Sequence, residues 1–159
     1  MVRRSPASPP YSFLNDGAMN LLAFASKFHG HLAILAVALL LHPALSLWRR
    51  PGISRGMRLS ATLAAIVTLA ANVCGWVIYP AYRVLVKGRL YTIDPFYVDL
   101  FETKEHLAFV ALVAALVGAL LLWLARDGAT RSASRASQRC FAVAALFAAS
   151  ALVGCGLRA

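Results

Sequence analysis

Four apolar runs separated by charged segments dominate this sequence, and they leave few folds open. They cover about 28–48, 59–79, 107–125 and 140–157. Each is close to the roughly 20 residues that a helix needs to cross a ~30 Å hydrocarbon core. Backbone amides in lipid have no water to bond to, so a spanning segment must satisfy them internally, and a helix does so. Hydrophobic residues make up 60% of the 159 positions, where soluble domains are nearer about half. The expected fold is therefore all-α, a four-helix transmembrane bundle. Residues 1–18 read as a disordered tail, with three prolines before position 11, and residues 19–159 as one membrane domain.

Lysine and arginine set the expected orientation. Arg49, Arg50, Arg55 and Arg58 lie between the first two runs. Arg126, Arg131, Arg135 and Arg139 lie between the last two, with Asp127 as the one acid there. The positive-inside rule places both segments in the cytoplasm and both termini outside. The longer loop between the second and third runs, 80–105, then faces outward. It holds Asp94, Asp99, Glu102 and Glu105 against Arg83, Lys87, Arg89 and Lys104. With Tyr82, Tyr91 and Tyr97 among apolar residues, it reads as an amphipathic segment lying on the outer leaflet. Trp48, Trp76, Tyr79 and Trp123 sit near the run ends, as interfacial aromatics do.

The formal net charge of +10 does not point to nucleic acid, because the cations are scattered in short segments between apolar runs. The lipid bilayer is their natural partner, and the expected location is a bacterial-type inner (cell) membrane, crossed several times. Cys74, Cys140 and Cys155 form no metal-type pair and read as thiols buried among apolar neighbours. The alanines and Gly154 of the fourth run suit close helix packing. Asn72 is expected to hydrogen-bond across helices, and 128–137 to be a flexible or surface-lying linker. No nucleophile elbow or phosphate loop is present, and no helix is broken at paired mid-depth positions as in many transporters.

The chemistry therefore rests on the histidines. His29, His31 and His42 lie in the first run and His106 opens the third. His31 and His42 are eleven residues apart, three turns plus about 20°, so they share a helix face some 16 Å apart. His29 is about 200° from His31 and points elsewhere. The first and third helices run in the same direction, which puts His31 and His106 at similar heights near the outer edge. This placement resembles the paired axial histidines of four-helix membrane b-type cytochromes. The resemblance implies haem b between His31 and His106, propionates met by Arg83, Lys87 or Arg89, and an electron-transfer role, quinol-linked at the outer face. His42 precedes Pro43 and lacks a partner at its depth, so a polar contact to a neighbouring helix is the plainer expectation for it. Glu102 and His106, one turn apart, form a further metal candidate together with His29 or His31, and His42 is a lesser one on its own. The alternative role is a non-catalytic accessory subunit of a larger respiratory or photosynthetic complex, with other membrane subunits as partners.

Overall fold

The computed structural model describes residues 16–49, 52–125 and 131–156. They form α1 (Asp16–Arg49), α2 (Arg55–Tyr82), a π-helical segment (Arg83–Lys87), α3 (Gly88–Ile93), α4 (Phe96–Leu124) and α5 (Arg131–Gly156), with no strand among them. Four helices are long and apolar enough to cross a membrane. The sequence expectation of an all-helical four-span protein is met in this respect.

The order of packing is a ring. α1 packs against α2 and α5, and α4 packs against the same two helices, so α1 and α4 stand diagonally. Neighbours are antiparallel: His29 reaches Ala71 while His42 reaches Ser60. The core is built from Leu40, Leu47, Leu122 and Phe141 among fully buried alanines such as Ala61, Ala64, Ala115 and Ala144. Small residues let backbones approach closely, which matters in lipid because apolar burial alone gives helices little reason to associate.

Three boundaries differ from the sequence expectation. α1 already begins at Asp16, while the rest of the expected tail (1–15) lies outside the described residues. α5 begins at Arg131, so most of the expected linker at 128–137 is helix. Its Ser134 and Ser137 are fully buried, and the Ser137 hydroxyl donates to the Gly118 carbonyl at 2.9 Å. A hydroxyl satisfied this way costs a packed interface nothing, and serine is small enough to keep the helices close.

The largest difference is the segment 80–105, which is not a loop on the membrane surface. α2 runs through Pro80, and the helical path continues to Ile93 as one 39-residue rod. Proline removes a single backbone donor, and spanning helices tolerate this. Such a rod is about 58 Å long, nearly twice the apolar layer it crosses. A turn at Asp94–Pro95 reverses the chain, with the Asp94 carboxylate accepting from the Phe96 amide at 2.9 Å. α4 then returns alongside. The rings of Tyr82 and Phe101 stack at 3.9 Å, Lys87 and Glu102 form an ion pair, and Val98 is buried. The segment is a helical hairpin that extends the α2–α4 pair beyond the bundle.

Candidate functional site

Each histidine is best located by its angle to the core. Leu40 and Ala115 are fully buried. His31 precedes Leu40 by nine residues, and His106 precedes Ala115 by nine. At about 100° per residue, nine steps are two and a half turns, so each histidine lies directly opposite a core position. Both side chains are exposed. Because α1 and α4 are diagonal, the two histidines face away from one another across the bundle. The structure does not bring the expected pair together.

Their hydrogen bonds agree. His31 Nδ1 donates to the Lys27 carbonyl at 2.7 Å, and His106 Nδ1 donates to the Glu102 carbonyl at 2.7 Å. Each ring is tied to the backbone one turn back on its own helix. A proton on Nδ1 leaves the Nε2 lone pair of the neutral ring directed away from that bond, the form in which imidazole binds metals or accepts hydrogen bonds. Haem held between His31 and His106 of one copy does not fit this arrangement, since both rings are exposed on helix faces opposite the core positions Leu40 and Ala115.

The other two histidines knit α1 to α2. His29 Nδ1 donates to the Ala71 carbonyl at 2.9 Å. Its ring lies on Gly75, where an added Cβ would stand 3.2 Å from His29 Cε1. The sequence reading that His29 points away from His31 is met, but the reading missed that it points inward. A glycine within an apolar helix was the available signal, since it marks a place where a ring can approach the backbone. His42 Nδ1 meets the Ser60 hydroxyl at 2.8 Å, the interhelical polar contact expected beside Pro43.

The remaining candidates are accounted for at the hairpin. The Glu102 carboxylate is engaged by Lys87, and only its backbone carbonyl meets His106. Glu102 therefore does not join His106 as a metal ligand. Arg83 lies over the Tyr79 ring at 5.9 Å, and Lys104 over the Phe101 ring at 4.0 Å. Arg89 is exposed on α3, with its carbonyl accepting from the Thr92 hydroxyl. These cations support an aromatic seam rather than a vacant anion cradle. Among the described residues no three His, Cys, Asp or Glu side chains converge on a point. Asn72 donates to the Thr68 carbonyl of its own helix at 2.9 Å, correcting its expected interhelical role. Cys74 and Cys140 are free thiols, each half-buried, while the side chain of Cys155 lies outside the described residues.

Arg58 was read as one cation of a positive segment. It does more than that. Its Nε donates to the Leu122 carbonyl at 3.1 Å and its Nη2 to the Ala125 carbonyl at 2.8 Å. A cation bonded to the last carbonyls of a helix satisfies groups that the helix cannot satisfy itself and opposes its negative end. The guanidinium also lies 5.9 Å from the Trp123 ring centroid, and Trp123 Nε1 donates to the Thr62 hydroxyl at 2.8 Å. Arg58 thus locks α2 to the end of α4. Comparison of the chain with protein-family models, curated proteins and solved structures gave no match.

Proposed function

We propose that this chain is an accessory subunit of a larger membrane assembly, and that His31 and His106 work on faces covered by membrane helices of other subunits. The observation that supports this reading is their shared geometry: both are exposed, both lie opposite the core, and both hold Nδ1 on a backbone carbonyl. A polar side chain turned toward lipid leaves its free nitrogen without a partner, and intramembrane ionisable groups normally face protein or water. A partner helix supplies what the lipid does not. Arg49, Arg55 and Arg58 would place their end of the bundle in the cytoplasm, and the hairpin outside.

An electron-transfer role is compatible with this reading in a changed form. Haem b or a quinone would sit on one of these two covered faces, with a further ligand or contact from the partner. Extraction in a mild detergent followed by native gel and a visible spectrum tests both statements. The expected result is co-migration with other membrane subunits, weakened when His31 and His106 are replaced by alanine. A lone monomer that carries a Soret band of its own, lost in the same double variant, contradicts the proposal and restores a haem held within one copy.

A further inference from the structure

At the end of the bundle opposite the hairpin, an open surface pocket of about 640 Å³ lies between the end of α1 and the start of α2, lined by Ser46, Arg49, Gly52, Ile53, Ser54 and Met57. That volume lies within the range of small-molecule sites, roughly 300–1,000 Å³. The lining is divided by chemistry. Ile53 and Met57 pack against the hydrophobic core, whereas Ser46, Ser54 and Arg49 bring two hydroxyls and a guanidinium. The Ser54 hydroxyl oxygen accepts from the Met57 amide at 3.2 Å, which leaves its proton to donate outward. Arg49 makes no hydrogen bond or ion pair among the described residues. This distinguishes it from Arg58, whose guanidinium is committed to α4.

No carboxylate competes for the site within its own elements. The sequence from 17 to 93, which contains nearly all of α1 and the whole of α2, has no Asp or Glu. Trp48 adjoins Arg49, and Trp123 sits at the same end of the bundle, so the pocket lies at the level of the interfacial aromatics, where headgroups are found. We propose that this pocket binds the phosphate group of an anionic phospholipid. Arg49 and the two hydroxyls meet the phosphate oxygens, and Ile53 and Met57 meet the glycerol and the first acyl carbons. Guanidinium is well suited to phosphate because its donors match two oxygens at once.

The full chain in a mild non-ionic detergent, mixed with phosphatidylglycerol or phosphatidylcholine and examined by native mass spectrometry, tests the site. Phosphatidylglycerol is expected to be retained in preference to phosphatidylcholine. Arg49→Gln is expected to lower its retention about fivefold, the effect of one basic side chain near a lipid surface. Arg139→Gln, at an exposed cation of the same end, is expected to leave it unchanged. Equal retention of the two lipids, or equal losses in both variants, overturns the proposal in favour of undirected charge attraction. Displacement of phosphatidylglycerol by millimolar inorganic phosphate also overturns it, by making the ligand a free anion. Should Arg49→Gln unfold, Ser46→Ala is expected to reduce retention in the same direction with helicity intact; unchanged retention there contradicts the assignment.

Discussion

The seam between α4 and α5 and the seam between α1 and α2 solve the same problem in different ways. Each lays an aromatic ring on a glycine. In the first, Gly118 is covered by Phe141, and a Cβ there would stand 3.0 Å from the Phe141 ring and 3.2 Å from Cys140 Cβ. Phe141 is fully buried, so its ring has little room to give. In the second, Gly75 is covered by His29, whose ring is half-buried and bonded to the Ala71 carbonyl. The first seam is filled by volume. The second is fastened by two imidazoles thirteen residues apart on α1, at His29 and His42. The first kind rests on close-packed volume, the second on directional hydrogen bonds between helices.

The contrast can be broken by substitution, with stability read from thermal or denaturant unfolding in detergent. Phe141→Ala should have the largest effect, a loss of about 3–5 kcal/mol from a cavity at the centre of the core. Gly118→Ala should follow, costing about 1–3 kcal/mol because the added methyl meets fixed atoms. His29→Ala should cost about 1 kcal/mol, in line with interhelical hydrogen bonds in membranes. His42→Ala should cost roughly 0.6 kcal/mol or less, since its ring is exposed and its bond to Ser60 lies at the rim. If His29→Ala proves as costly as Phe141→Ala, the two seams are equivalent and the contrast fails.

The existence and number of the spanning helices were legible because lipid imposes a length and a composition that the sequence displays openly. The faces of α1 were not. That helix is apolar on every side, so the angular relation of His31 to His42 could be computed while the side that meets the core could not. Leu40 and Leu41 look equally suitable in the sequence, yet Leu40 is buried and Leu41 exposed. The hairpin was misread for a different reason. Pro80 and the charges after it resemble a helix end, and the contacts that sustain the helix beyond it, Tyr82 with Phe101 and Lys87 with Glu102, join residues far apart in sequence. Close packing of the fourth run was anticipated from its small residues, but its partner was not, and Gly118 and Ser137 contribute to the α4–α5 contact beside the alanines.

The outward divergence of His31 and His106 supports the proposed role, and a distance measures it. Spin labels attached through His31→Cys and His106→Cys, with Cys74, Cys140 and Cys155 replaced by serine, report that separation in the detergent-solubilised chain. Neighbouring helices some 8–10 Å apart put diagonal axes about 13 Å apart, and labels pointing outward add roughly 7 Å on each side. An interspin distance of about 25–30 Å is expected. A distance below about 15 Å would mean that the two positions converge inside the bundle, and would contradict the outward placement on which the subunit reading depends.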